Sequence, residues 1–139
     1  MDILTPEQRR RAMSAVKSTN TVPELRVRQL LHAAGFRFRL HRKDLPGTPD
    51  IVLVRYRTVV FVHGCFWHQH PGCKHATRPS TRQEYWQPKL DGNVKRDSAK
   101  RAELEGQGWN VIIVWECETK NAESLLDRLK LSIEAHAPR

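Results

Sequence analysis

The apolar positions of this chain follow two rhythms. Three short runs are almost wholly apolar: Ile51–Val54, Thr58–Val62 and Trp109–Trp115, the last reading WNVIIVW. Dense β-branched runs of this length predict strands, the third of them buried on both faces. Only Arg55–Arg57 separates the first two, so they predict an antiparallel hairpin at the centre of a sheet. Phe36–Leu40 (FRFRL) alternates apolar residues with Arg, the pattern of a half-exposed strand.

Elsewhere the spacing is helical. Leu25, Leu30, Leu31 and Ala34 make an apolar face behind a start at Asn20 or Thr21, with Pro23 and Glu24 in the first turn and Gly35 as the stop. Leu125, Leu126, Leu129, Leu131 and Ile133 predict a core-packing helix from Ala122 to about His136. Thr5-Pro6-Glu7-Gln8 reads as a helix start, with the helix reaching about Ser18 and carrying Arg9, Arg10, Arg11 and Lys17 as phosphate contacts or as an ordinary solvated face. A further helical pattern begins at Gln83, is expected to break around Pro88 and Gly92, and resumes over Asn93–Leu104. The order of elements predicts an α/β fold with a mixed central sheet flanked by helices.

Composition narrows the partners. Twenty-four Lys and Arg against fifteen Asp and Glu give a net charge of +9, spread along the chain, which points to nucleic acid. No apolar run reaches membrane-spanning length, and the start lacks a charged-then-apolar segment, so neither membrane nor signal peptide is expected. Three Cys, an odd number, argue against a disulfide framework and for a reducing, cytoplasmic setting.

Between Gly64 and Glu84 the periodicity vanishes, and a loop this long inside a compact domain is usually functional. It holds Cys65, His70 and Cys73, and Cys117 follows the last strand. Together these form a Cys₃His set, the donors of a closed, structural Zn²⁺ site, with His75 as the alternative to His70. The competing reading makes Cys65 and Cys117 buried small hydrophobes and Cys73 an exposed bystander. Asp50 stands at the mouth of one hairpin strand and His63 at the end of the other, where the two can converge. His68 on the loop and Asp97 on the basic helix complete a set suited to metal-assisted phosphodiester hydrolysis. Taken one at a time, these residues also read as a turn Asp, a spare zinc ligand and a surface charge. Glu24 is either a favourable first-turn carboxylate or an active-site group. Phe66, Trp67 and Trp86 lie off any core periodicity and are candidates for stacking on bases, whereas Trp109 and Trp115 read as core and Tyr85 as either.

Five ordered motifs, LPGTPDIVL (45–53), FVHGCFWHQH (61–70), TRQEYW (81–86), NVKRD (93–97) and GWNVIIVWEC (108–117), make the chain resemble the bacterial very short patch repair endonucleases, the Vsr-type mismatch nickases. The resemblance covers nearly the whole chain. It implies one endonuclease domain over 1–139, with residues 1–19 as a helical arm and 20–139 as a restriction-endonuclease-like catalytic core. The implied activity is a nick in the T-containing strand at T:G mismatches left by deamination of 5-methylcytosine. By the same resemblance Asp50 and the backbone carbonyl of Val62 bind Mg²⁺, although Val62 stands where a relative has Thr. His68 is the general base oriented by Asp97, His63 acts on the scissile phosphate or leaving group, and Glu24 completes the site. Cys65, His70, Cys73 and Cys117 match the structural zinc ligands, and Phe66, Trp67 and Trp86 the aromatic wedge. The implied setting is a monomer on double-stranded DNA, functionally linked to a cytosine-5 DNA methyltransferase and to downstream repair proteins. The rivals are a restriction-like or broader-specificity DNA endonuclease, and a non-catalytic zinc-stabilised mismatch-binding module.

Overall fold

A computed structural model describes residues 20–136. The expected arm helix at Thr5–Ser18 lies outside the described residues, as do Arg9, Arg10, Arg11 and Lys17 on it. The centre is the hairpin read from the sequence. Strand β2 (Ile51–Leu53) pairs antiparallel with β3 (Thr58–His63), with Ile51 opposite Val60 and Leu53 opposite Thr58. The link is a single 3₁₀ turn, Val54–Tyr56, closed by Arg57 in a left-handed conformation. On the other side of β2 lies β1 (Arg39–Leu40), also antiparallel. Strand β4 (Asn110–Trp115) runs parallel to β3 along its whole length, from Thr58 opposite Asn110 to His63 opposite Trp115. The sheet is therefore mixed, in the order β1-β2-β3-β4.

The apolar runs are continuous because both faces of the sheet are covered. On one face Ile51, Leu53, Val60, Ile112 and Val114 pack under helices α1 (Val22–Ala33) and α3 (Ala122–Glu134), which contribute Val27, Leu31, Leu125, Leu129 and Ile133. On the other face Val52, Val59, Val111 and Trp109 meet Leu104 of α2 (Gln83–Gly106). Helix α1 begins where its composition says it should: the Thr21 side chain accepts from the Glu24 N–H, and Pro23 lies in the first turn.

Two expectations are corrected. The alternating segment 36–40 forms only a two-residue strand, because Phe36 turns into the core and meets Tyr56 edge-on at 5.6 Å. Helix α2 does not break at Pro88 or Gly92. The ring of Pro88 fixes a φ that a helix already uses; it forfeits one hydrogen bond and crowds the Glu84 carbonyl, both in the first two turns. The next turn is held by Leu90, which is fully buried. Among the described residues no helix is long and apolar enough to cross a membrane.

Candidate active site and metal-binding knot

The β2–β3 hairpin sets the first group. Asp50, just before β2, accepts a hydrogen bond through Oδ2 from the Val62 N–H of β3 at 2.7 Å. The β1–β2 register, continued by one residue, puts His41 opposite Asp50, and the His41 N–H donates to the Asp50 carbonyl at 3.1 Å. Helix α1 supplies Glu24, 1% exposed. Its Oε2 meets His41 Nε2 at 2.9 Å and the Arg28 guanidinium one turn along. Donor atoms of Glu24, His41 and Asp50 all lie within 4.8 Å of one another. Two carboxylates that close are a hard-oxygen pair of the kind that takes a divalent cation. Burial pushes the Asp50 carboxyl up to about 7, against the pull of the Val62 N–H, and the neighbouring Glu24 raises it further. Glu24 turns inward, towards His41 and Asp50. His41 escaped the sequence reading; its signal was position, directly after the alternating segment and opposite Asp50.

The second group grows from the end of β3. His63 is buried, and its ring stacks on His68 with centroids 3.8 Å apart and planes 7° from parallel. His68 Nδ1 lies 2.6 Å from Asp97 Oδ2, carried by α2. The loop is tight enough to hold this pair because the His68 N–H bonds back to the Gly64 carbonyl at 3.1 Å. Burial, and next the adjacent His68, lower the His63 imidazole to about 4, so it is neutral at physiological pH. Its Nδ1 is buried with no hydrogen-bond partner among the described residues. Asp50 and His63 thus belong to two adjoining groups: the carboxylate grips the N–H of Val62, the residue before His63.

The third group is the knot. Cys65, His70, Cys73 and Cys117 bring their ligand atoms within 4.8 Å of one another. Cys117 reaches the loop because β4 runs parallel to β3 and delivers the following 3₁₀ turn, Glu116–Lys120, to the same end of the sheet. His70 Nδ1 lies 3.8 Å from Cys65 Sγ and 3.5 Å from Cys117 Sγ. Tetrahedral zinc with ordinary bond lengths separates such donors by roughly 3.6 Å, so the set fits a closed Cys₃His site. His75 is not in this group, which leaves His70 as the imidazole donor. Burial pushes the Cys65 thiol up to about 12, while the backbone N–H of His75 draws that of Cys73 down.

Trp115 is a correction. Expected in the core, it lies between the two histidine sites: its ring stacks on His70 at 4.3 Å and meets His63 edge-on at 5.3 Å. As the last residue of β4 it is half-buried and shares a strand face with Val111 and Ile113. Trp109, at the other end, is buried as expected. Phe66, Trp67 and Trp86 form one half-buried aromatic cluster, with centroids 5.1, 5.6 and 6.0 Å apart. Asn93 of α2 steadies it by donating to the Trp67 carbonyl at 2.9 Å.

The family model for the DNA mismatch endonuclease Vsr matches residues 1–75. The type II nicking enzyme V.XorIIP of Xanthomonas oryzae is 54% identical over 129 residues, 93% of this chain and 94% of that one. The chain belongs to the Vsr family. The DNA mismatch endonuclease Vsr of Escherichia coli is 41% identical over 126 residues, covering 91% of this chain and 80% of that one. In fold, the catalytic domain of the homing endonuclease I-Bth0305I superimposes with a TM-score of 0.60 at 18% identity, over 86% of this chain and all of that one.

This Vsr chain is therefore a DNA endonuclease on a nuclease fold, and the expected α/β core with a mixed sheet is the one observed. Its net charge of +9 suits a polyanionic substrate. Helix α2 carries Asp97, the aromatic Trp86 and the anchoring Asn93.

Proposed function

We propose that this enzyme nicks the T-containing strand of duplex DNA at T:G mismatches, in a Mg²⁺-dependent reaction that begins very short patch repair. The observation that carries this reading is the 2.6 Å pair of His68 and Asp97, stacked against His63 and one residue from the backbone that holds Asp50. With Nδ1–H on the carboxylate side, His68 presents an unprotonated Nε2, and that atom takes the proton from the attacking water. Asp97 holds the ring in that tautomer and stabilises the imidazolium that follows. His63, neutral and buried, is a hydrogen-bond donor to the scissile phosphate or the leaving oxygen. Mg²⁺ held by Asp50 and the Val62 carbonyl, with Glu24 beside them, would neutralise phosphate charge as it builds on the attacking and leaving oxygens. Zn²⁺ in the knot would be structural, since four protein donors leave no open position.

Phe66, Trp67 and Trp86 are the wedge. A T:G wobble unstacks more cheaply than a Watson–Crick pair, so aromatic insertion beside it costs less than elsewhere. The same reading makes the enzyme a cytoplasmic monomer on DNA, working on lesions that a cytosine-5 methyltransferase creates and handing its nick to repair proteins.

The test is a set of duplexes carrying one T:G mismatch in several flanking contexts, each strand labelled in turn, with and without Mg²⁺. A Mg²⁺-dependent nick confined to the T strand, and lost in Asp50→Ala and His68→Ala, is the expected result. Equal cutting of the paired control would establish the restriction-like alternative, and tight binding with no nick the non-catalytic one.

A further inference from the structure

The carboxylate group contains more than two acids. His41 belongs to none of the five motifs that mark the family, yet its Nε2 is one of three donor atoms gathered within 4.8 Å. Its backbone is left-handed, at φ 47°, a conformation that non-glycine residues adopt sparingly and His more readily than most. The bond from its N–H to the Asp50 carbonyl holds it there and aims the ring at the acids. Adjacent donors around an octahedral divalent ion stand about 3 Å apart. Glu24 Oε2 and His41 Nε2 are 2.9 Å apart.

The surroundings of the imidazole are those of a ligand more than of a plain hydrogen-bond partner. Nε2 lies 2.9 Å from a carboxylate oxygen and 3.3 Å from the Arg28 guanidinium. The first contact asks Nε2 for a proton and the second asks it for a lone pair. One neutral tautomer satisfies only one of them. A cation among the three donors would meet both acids and the imidazole lone pair together, with Arg28 released to Asn20, whose Oδ1 it already reaches at 2.6 Å.

We propose that His41 is a third protein ligand of the divalent-ion site at Asp50 and Glu24. This rests on the reading of Asp50 as the metal-binding carboxylate. Imidazole favours Co²⁺ and its neighbours over Mg²⁺, which prefers oxygen and water. The site therefore takes Mg²⁺ for work at cellular concentrations and binds Co²⁺ more tightly than two carboxylates alone would.

The experiment is calorimetric titration of zinc-loaded, DNA-free protein with Co²⁺ and, separately, with Mg²⁺. The absence of cobalt–thiolate absorption confirms that the knot keeps its zinc. His41→Ala is expected to weaken Co²⁺ about tenfold and Mg²⁺ by no more than about threefold. His41→Gln, which keeps a donor for Glu24 and guards against misfolding, should lose the Co²⁺ preference equally. In the parent, Co²⁺ should shift and broaden the His41 ring resonances. If His41→Ala leaves Co²⁺ affinity unchanged while Asp50→Ala abolishes it, His41 is not a ligand and the metal role of Asp50 stands. If neither substitution alters binding, both ideas fall.

Discussion

Asp97 Oδ2 sits 2.6 Å from His68 Nδ1, so a residue of α2 dictates which nitrogen of a loop histidine is free. Asp97→Asn keeps the shape and removes the charge that holds the tautomer. Single-turnover nicking of a mismatched duplex should fall by about 10²- to 10⁴-fold, with DNA affinity nearly unchanged. Adding His68→Ala to Asp97→Asn should cost little more than His68→Ala alone, because the two act as a unit.

Asp50 should trade stability for function. Its carboxyl titrates at about 7 in the fold against 3.8 as its ordinary value, so the fold favours the protonated form. That contribution is whole below about pH 4 and is lost as pH rises through about 7. The amide of an Asp50→Asn protein would be neutral throughout. Without Mg²⁺, Asp50→Asn should be more stable than the parent by roughly 2–4 kcal/mol at pH 8, the gap closing towards pH 4, while nicking is abolished. Urea melts of both proteins across that range read the difference directly; parallel curves would mean that Asp50 is not strained when ionised.

The position of Trp115 separates metal loss from catalytic loss. Cys117→Ser should reduce bound zinc below one per chain and lower the unfolding midpoint, since it removes one of the four donors that tie the loop to the end of β4. Trp115→Leu leaves all four donors in place. It should retain the zinc, measured by metal analysis, yet slow nicking by tenfold to a hundredfold, because His63 loses the ring that meets it edge-on at 5.3 Å.

For the aromatic cluster, Trp67→Ala should weaken binding to a mismatched duplex by about 1–3 kcal/mol, as loss of one stacking platform does. Binding to a fully paired duplex of the same sequence should change much less. Fluorescence anisotropy with both duplexes checks this, and an equal loss on both would remove the wedge role.

The sequence was legible where one residue property decides the outcome. The central hairpin followed from two apolar runs and three residues between them, and the mixed sheet from the order of elements. The Cys₃His set is readable because few residue types can hold a metal ion, and only the coordinates group His70, not His75, with the three Cys. What escaped depends on register or on where a strand ends. His41 could be placed opposite Asp50 only once β1 and β2 were paired. Trp115 looks like core because its neighbours are, and nothing in WNVIIVW marks its last ring as packing against two histidines. Pro88 marks a break by its type alone, but the helix continues through it with Leu90 buried beneath the next turn.

The parallel pairing of β3 and β4 has a consequence for how the molecule comes into being. A hairpin can zip from its turn, but these two strands meet only after the loop and all of α2 have been laid down between them. The same closure brings Cys117 to Cys65 and Trp115 to His63. Completion of the sheet thus also completes the Cys₃His group and seats Trp115 against His63. A chain whose β4 has not yet docked therefore lacks both the fourth donor of the Cys₃His group and the ring that meets His63.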